Sequence, residues 1–327
     1  MKKVANIMLT AVLMAGLLSC AKTDRIYDDT KTEIAMKPVM HTPTKEIVEG
    51  TTYPTDVNFG VLAYYSSAFG DLDKWTDLTG ENAPVPYIDD QEFVSKGDGT
   101  FGGSDPCYWP HQGSLVFAGY SPYDSGTPSF DCSTKTLTIT GFTSNGQTDL
   151  MYFLPEVSDN SLVGLNSGAS SVPAVFSHAL SLVEFNVKGV DNDETVKLWS
   201  ITFKDIPHMG TLTANASACS WSDQSSPDDL PVFSPVDGVF LSSETPVTAT
   251  ILVIPGDAAD IELRYDAIGV STHDKTGTIK PGDAVTKWVA GKKYIYNLTI
   301  RSGIIIIDSL SVYDYPEIDG PDTEIEI

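Results

Sequence analysis

The chain has 327 residues, and its 44 acidic residues outnumber its 20 lysines and arginines, so the formal net charge is −24. Such acidity disfavours nucleic acids as partners, because their phosphates are bound by Lys and Arg. It also repels an anionic membrane surface, and it is typical of a protein whose surface faces the aqueous exterior of a cell. The length is sufficient for two domains of ordinary size.

The N-terminus has the pattern of an export signal. Two lysines precede an apolar run over residues 7–18, and Ser19 and Cys20 follow. The run is too short to span a bilayer, which needs roughly 20 apolar residues. Its end resembles the bacterial lipobox, in which the cysteine thiol is acylated and becomes the mature N-terminus. The pattern predicts a signal peptide over residues 1–19, lipidation of Cys20 and a polar tether over residues 20–31, with an ordinary signal peptide as the alternative.

Beyond the tether, apolar and polar residues alternate with a period of two, which indicates strands rather than helices. The clearest strand segments are Thr136–Thr140, Val183–Val187, Ile251–Ile254, Ile261–Tyr265 and Tyr294–Ile300. Clusters of Gly, Pro, Asn, Asp and Ser between them are typical of strand turns. At most a short helical turn is expected, at Gly70–Leu78.

Many short strands separated by turns predict an all-β protein made of sandwiches or barrels. The chain is too long for one seven-stranded sandwich of roughly 100 residues, so two sandwiches in tandem fit the length. The Ser/Gly/Asn-rich stretch Ser158–Val172 is the expected joint. We therefore predict an N-terminal sandwich over residues 32–160 and a C-terminal sandwich with a C-terminal extension over residues 161–327.

The sequence contains no familiar catalytic or cofactor motif, such as GxSxG, HExxH or a glycine-rich phosphate loop. Neighbouring carboxylates are expected by chance in a chain with 44 acids. The loop acids Asp98, Asp105, Asp191 and Asp193 lack a spacing specific for calcium, and solvated loops are the simpler interpretation. The sequence therefore predicts neither an enzyme nor a metal or cofactor site.

Three cysteines remain if Cys20 carries lipid, namely Cys107, Cys132 and Cys219. Three thiols cannot all pair within one chain, and no CxxC or Cys/His cluster suggests a metal site. A Cys107–Cys132 disulfide and free buried thiols both stay open, and free thiols are favoured.

Exposed aromatic side chains could provide platforms on which sugars stack. Trp75, Tyr108-Trp109 and Trp288 are the candidates. Aromatic residues also fill sandwich cores and cover strand ends, and this core interpretation is favoured. A surface glycan-binding lipoprotein that does not polymerise is accordingly the alternative function.

Several segments together resemble one family, the fimbrillins of the Bacteroidales. Tyr108–Pro110 followed by Leu115–Pro122 is similar to that family's YWP…LxFxAYxP stretch, and Asp149–Tyr152 is similar to its DLMYA strand. Phe176–Ser181 resembles its FxHALS strand, and Trp288–Leu298 resembles its WxxGKxYxYNL ending. The segments occur in the family's order and span most of the chain that follows the signal.

This resemblance implies two tandem transthyretin-like Greek-key β-sandwich domains and a role as stalk, anchor or tip subunit of cell-surface fimbriae. It implies other fimbrial subunits as partners, an outer-membrane location through the lipid anchor, and adhesive ligands on host or bacterial surfaces as a further option. It also implies assembly by strand exchange, in which a protease trims an N-terminal strand and a neighbour's C-terminal segment fills the groove. Such a guest strand supplies ladder hydrogen bonds and alternate side chains for pockets.

The candidate displaced strand is Thr32–Val39, in which Ile34 and Met36 face one way. The candidate donor segment follows Arg301, and its apolar residues are Ile304, Ile305, Ile306, Ile307, Leu310, Val312, Ile325 and Ile327. A core strand of the C-terminal sandwich is the alternative for residues 304–307, and a frayed acidic tail is the alternative for residues 323–327.

Processing in this family follows a basic residue, usually Arg, between the first strand and the body. Here Arg25 lies before the candidate strand, and the next arginine in the sequence is Arg264. Lys37 and Lys45 are the basic residues in the useful region. The candidate protease sites are therefore Arg25, Lys37 and Lys45. The alternative is that the chain keeps its first strand and acts as an anchor, a tip or a monomeric surface lipoprotein.

Overall fold

The computed structural model describes residues 32–40, 53–67, 74–190, 195–268, 272–301, 303–314 and 323–326. Within these residues the protein is all-β, which confirms the fold class expected from the period-two pattern. The helical elements among them are 3₁₀ turns at Gly80–Asn82 and Pro281–Asp283. The stretch expected to hold at most a helical turn contains a strand at Lys74–Trp75 instead, and its residues 70–73 lie outside the described part of the chain.

The strands are numbered in chain order. The first thirteen are β1 (Ala35–Met40), β2 (Phe59–Ser66), β3 (Lys74–Trp75), β4 (Val85–Ser95), β5 (Phe101–Gly103), β6 (Ser114–Ser121), β7 (Thr127–Asp131), β8 (Thr136–Thr143), β9 (Met151–Phe153), β10 (Val157–Ser158), β11 (Ser161–Val163), β12 (Val172–His178) and β13 (Ser181–Lys188). The others are β14 (Thr195–Asn215), β15 (Ala218–Phe233), β16 (Val239–Phe240), β17 (Val247–Val253), β18 (Gly256–Asp257), β19 (Ile261–Ile268), β20 (Thr272–Ile279), β21 (Lys287–Trp288), β22 (Lys292–Arg301), β23 (Ile304–Asp314) and β24 (Thr323–Glu326).

Seven strands form a closed sheet in the order β1-β12-β9-β6-β2-β4-β5, and β5 pairs with β1 to complete it. Alternation along each strand points every second side chain inward, as with Phe59, Val61 and Ala63 of β2. The interior is rich in aromatic rings, and the ring of Phe59 lies 5.1 to 6.3 Å from four other phenylalanine rings. This aromatic core lies directly behind β1.

The C-terminal half forms a two-layer sandwich. One layer is the sheet β17-β13-β22-β23-β24, and the other contains β20, β19 and the first part of β14. Inward side chains of both layers fill the space between them, including Phe185 of β13, Phe203 of β14 and Tyr296 of β22, which are all fully buried. Phe185 stacks on Tyr296 at 5.2 Å and meets Phe203 edge-on at 5.6 Å.

Strand β14 joins the sandwich to the closed sheet. One edge of β14 pairs first with β19, over Thr195–Phe203, and then with β8, over Met209–Ala214. Strands β7 and β8, which come much earlier in the chain, thereby extend the same sheet. A third buried layer lies between this extension and the outer face of the closed sheet, with Leu212 of β14 and Tyr120 of β6 on its two sides.

The predicted tandem of two transthyretin-like sandwiches, divided between residues 160 and 161, stays a prediction. Strand β12 follows that division in sequence and pairs with β1 and β9. Side-chain hydrogen bonds hold the connection between β12 and β13. There His178 Nδ1 lies 2.7 Å from Asp149 Oδ2, and the Trp221 indole N–H donates to the Ala179 carbonyl at 2.8 Å.

Leu212 is fully buried in the layer between the closed sheet and the extension of β14. We predict that Leu212→Ala lowers the free energy of unfolding by about 2–5 kcal/mol, because it leaves a cavity in this layer. Since β14 belongs to both halves, calorimetry should show a single transition that moves as a whole to lower temperature. Val236→Ala, at a position that is 95% exposed, is the control and should change stability by less than about 0.5 kcal/mol. Two transitions of which one alone shifts would contradict this expectation.

Candidate functional site

Strand β1 is bonded along both edges and completes the closed sheet. It runs parallel to β12 over five residue pairs, which begin at Met36 and end at Met40, and antiparallel to β5 over two pairs. Just before the strand, the Ile34 amide donates to the Cys107 carbonyl at 2.8 Å. Loss of β1 would therefore open the sheet between β12 and β5.

The inward face of this N-terminal segment is apolar at every second residue. Ile34 and Met36 have no exposed surface, Met40 is 8% exposed, and Pro38 is also buried. Burying an aliphatic side chain of this size contributes about 1.5–3 kcal/mol. Ile34 and Met36 are the residues predicted from the sequence to share this face, and the same alternation extends to Pro38 and Met40.

The wall behind β1 is largely aromatic. Tyr53 stacks on Phe176 at 4.9 Å and meets Phe101 edge-on at 5.5 Å. The Tyr53 hydroxyl lies 2.6 Å from Ser121 Oγ, and burial raises the pKa of this hydroxyl above its usual value. Tyr53 is the first described residue after β1 in the sequence.

The three candidate protease sites differ in placement. The Lys37 side chain is exposed, but its backbone is paired with Pro173 in the ladder and the next residue is Pro38. A protease must bind its substrate as a free extended segment, and the bond after Lys37 is held in a sheet. Arg25 and Lys45 lie outside the described residues.

The candidate donor residues of β23 lie in the sandwich. β23 pairs with β22 along its whole length, through ten residue pairs. Leu310 is fully buried, whereas Ile304 and Ile306 face outward and are 63% and 41% exposed. The remaining residues, Ile305, Ile307 and Val312, are partly buried against the sandwich core.

Strand β24 is the outermost strand of the same sheet. It pairs with β23 over four residue pairs, and Ile325 lies opposite Leu310. Ile327 lies outside the described residues, as do Ser19 and Cys20. The structure therefore places the candidate displaced strand in the closed sheet and the candidate donor in the sandwich, and within one molecule it does not bring them together.

Cys107, Cys132 and Cys219 are not joined by disulfide bonds. Cys107 donates its thiol hydrogen to Gln91 Oε1 at 2.6 Å. Burial raises the pKa of the Cys132 thiol to about 12 and that of the Cys219 thiol to about 11. These two thiols are therefore protonated at neutral pH and are weak nucleophiles.

The tryptophans proposed as sugar platforms lie in the core. Trp75, Trp109 and Trp288 are only 3–4% exposed. The indole N–H of Trp75 donates to Ser114 Oγ at 2.7 Å, and that of Trp288 donates to the Tyr296 hydroxyl at 3.2 Å. Tyr108, between them in sequence, is half-buried. The core interpretation of the three tryptophans is confirmed.

A wide cleft of about 610 Å³ opens where β14, β15 and the loop before β19 meet. Its described lining includes Lys204, Asp205, Asp257, Asp260 and Glu262, and contains no histidine, cysteine or tyrosine. Lys204 forms an ion pair with Asp229, and its hydrogen bond lowers the pKa of that carboxyl. The cleft is thus an open acidic surface without a paired nucleophile and base.

The described residues contain neither a metal-binding cluster nor a membrane-spanning helix. No cluster of three or more His, Cys, Asp or Glu side chains in this part of the chain could hold a metal ion. No helix there is both long enough and apolar enough to cross a membrane. Asp191 and Asp193, two of the loop acids considered for calcium, lie outside the described residues.

Comparison with solved structures gives the same fold at low identity. A structure described as a candidate cell adhesion protein from Bacteroides ovatus matches with a TM-score of 0.54 and 16% identity, over 88% of this chain and 99% of that chain. Another, described in the same way and from Bacteroides uniformis, matches with a TM-score of 0.51 and 16% identity, over 86% of this chain and 99% of that chain. No curated protein sequence matches the chain.

The family comparison agrees with the resemblance seen in the sequence. A family model described as fimbrillin-like matches residues 48–314, which include the closed sheet except β1 and the sandwich through β23. The match covers well over half of the chain and contains the motif segments between Tyr108 and Leu298 that carry the resemblance. The chain belongs to the fimbrillin-like family.

Proposed function

We propose that this chain is a structural or adhesive subunit of cell-surface fimbriae, as stalk, anchor or tip, exported as an outer-membrane lipoprotein and assembled by β-strand exchange. Membership of the fimbrillin-like family supports a fimbrial role. The two similar structures are described as candidate cell adhesion proteins, which agrees with it. The observation that carries the proposal is β1, an N-terminal strand that joins β12 to β5 in the closed sheet.

The acceptor in this proposal is the slot that β1 fills. Ile34, Met36 and Met40 together stabilise the closed form by about 5–9 kcal/mol before ordering costs. Without β1, the edges of β12 and β5 would lose their ladder partners, and the wall at Phe101 and Phe176 would meet water. A guest strand with alternating apolar side chains would restore both kinds of contact.

The donor in this proposal is β24 with its flanking residues, over 315–327. Removing β23 from its sheet would break ten residue pairs and expose Leu310, whereas removing β24 breaks four pairs at the edge. Residues 323–327, TEIEI, alternate apolar and acidic side chains. That pattern suits a guest strand whose isoleucines enter pockets while its glutamates face water.

Release of β1 requires a cut between it and Tyr53. Of the three candidate sites, Lys45 lies in that connection, within residues 41–52, whereas Lys37 is held in the ladder before a proline. We therefore place the processing site after Lys45. A chain that is not cut there keeps β1 and acts as an anchor or tip, at one end of a fimbria.

Anchoring in this proposal depends on Cys20. Each buried methylene of an acyl chain contributes about 0.8 kcal/mol, and two or three chains hold a protein stably. The strongly acidic chain adds no attraction to anionic lipid. The proposed role is non-catalytic, which is in line with membership of the fimbrillin-like family.

A disulfide between β1 and β12 would hold β1 in the closed sheet. Val39 of β1 and Val175 of β12 are directly opposite and both reach the outer surface. Neighbouring strands lie about 4.8 Å apart, which a disulfide can bridge. Oxidised Val39→Cys/Val175→Cys protein should fail to form oligomer ladders on unheated gels after protease treatment, and a reductant should restore them. Each single cysteine variant is the matched control and should assemble normally; ladders that form in the oxidised double variant count against strand release.

Two C-terminal deletions distinguish the role of β24 from that of β23. Deletion of residues 315–327 should abolish oligomer ladders while the monomer keeps its unfolding transition, because Leu310 and the ten β22–β23 pairs remain. Deletion of residues 304–327 should also abolish ladders but should destabilise the sandwich, since it removes a core strand. Ladders that survive the shorter deletion would show that the donor lies elsewhere.

Replacement of Cys20 tests the lipid anchor. Cys20→Ala should move the protein from the membrane fraction to the soluble fraction and remove incorporation of labelled palmitate, because the acylated thiol is lost. Cys219→Ala, at a half-buried thiol of the folded body, is the control and should leave both readouts unchanged. Palmitate labelling that persists in Cys20→Ala would overturn the lipidation site.

A further inference from the structure

An exposed cluster on the outer face of β14 and β16 has no role in strand exchange. It consists of Lys197, Trp199 and Phe240, and we call it the Trp199 patch. The Lys197 ammonium lies 4.3 Å from the centre of the Trp199 ring and 5.2 Å from the centre of the Phe240 ring. Phe240 is 58% exposed, and Trp199 is half-buried. The patch thus combines one cation with two aromatic rings.

A β-bulge turns Trp199 outward. In the pairing of β14 with β19, Leu198 lies opposite Tyr265 and Ser200 lies opposite Arg264, so Trp199 is an extra residue in the ladder. Leu198 and Ile201 are fully buried, and the two residues between them both face outward. Bulges of this kind re-aim side chains, often beside functional sites.

Lys197 has a carboxylate across the ladder but does not pair with it. Its backbone lies between Asp266 of β19 and Phe240 of β16, and its ammonium is on the side of the aromatic rings. Among the described residues, no carboxylate oxygen lies within 4.0 Å of this ammonium. The cation is therefore available to an anionic group of a ligand.

We propose that the Trp199 patch binds a carboxylated saccharide, such as a chain that contains a uronic or sialic acid. The face of an aromatic ring carries negative quadrupole charge and attracts the weakly positive C–H groups on the apolar face of a sugar ring. The Lys197 ammonium supplies a charge-assisted hydrogen bond to the carboxylate. A few polar groups placed among aromatic side chains are typical of small-ligand sites.

The net negative charge of the protein disfavours two other partners at the Trp199 patch. A second copy of this chain, at −24, and a nucleic acid would each bring many negative charges to an acidic surface. One carboxylate in contact with Lys197 is attracted at short range, whereas repulsion from more distant acids is screened over about 8 Å at physiological salt. A neutral sugar would use the two rings and leave the ammonium without its counter-charge.

This inference adds an adhesive ligand to the proposed function and does not depend on assembly, since the patch is complete in one molecule. The test is calorimetric titration of the purified monomeric protein with pairs of oligosaccharides that differ only in a carboxylate. Sialyllactose is compared with its methyl ester, and a glucuronate-containing trisaccharide with its glucose counterpart. We expect the acidic member of at least one pair to bind at least tenfold more tightly than the neutral one.

Substitutions in the Trp199 patch test whether the saccharide binds there. Lys197→Gln should remove the preference for the acidic sugar, and Phe240→Ala should weaken binding at least tenfold, since both side chains are at the surface and the fold stays intact. Tyr123→Ala, at an exposed aromatic residue of the closed-sheet half, is the control and should bind as the parent does. Absence of binding at millimolar sugar, equal binding of both members of each pair, or binding that survives both patch variants would overturn the proposal. Oligomer ladders, measured separately, test the fimbrial role.

Discussion

Strand β14 is the constraint on which the rest of the structure depends. Its first part places Phe203 in the sandwich core, and its last part places Leu212 in the layer beneath the closed sheet. Ladder hydrogen bonds with β19 and then β8 hold one edge, and β15 and β16 hold the other. The closed sheet and the sandwich can separate only if the buried layer at Leu212 opens.

The strands proposed for exchange are peripheral to this frame. Among the described residues, β1 packs into the aromatic interior of the closed sheet, and β24 pairs with β23 at the edge of its sheet. No described residue of β1 belongs to the layer at Leu212. The frame can therefore keep its structure while a strand is exchanged at either side, which is the physical requirement for a subunit that folds first and assembles afterwards.

The sequence predicts the local structure well and the long-range pairing poorly. The alternation in Val183–Val187 and Ile261–Tyr265 correctly predicts strands, and alternation around Ile34 correctly predicts which side chains share a face. A period of two contains no information about which strand is the neighbour, so the pairing of β8 with β14 could not be foreseen. The bulge that exposes Trp199 belongs to the pairing of β14 with β19, which the period does not reveal either. The sequence therefore indicated three tryptophans that are buried and gave no sign of Trp199.

The acidity of the chain bears on how copies of it can associate. Two subunits that each carry −24 repel one another, and flat polar surfaces brought together in water offer little to offset this. Screening limits the repulsion to about 8 Å at physiological salt, whereas an inserted strand makes its hydrogen bonds and apolar contacts well inside that distance. Association through a buried strand thus relies on short-range contacts that the net charge does not weaken. In the proposed assembly, surface contacts between such acidic subunits should remain transient, and stable association should require an open acceptor slot.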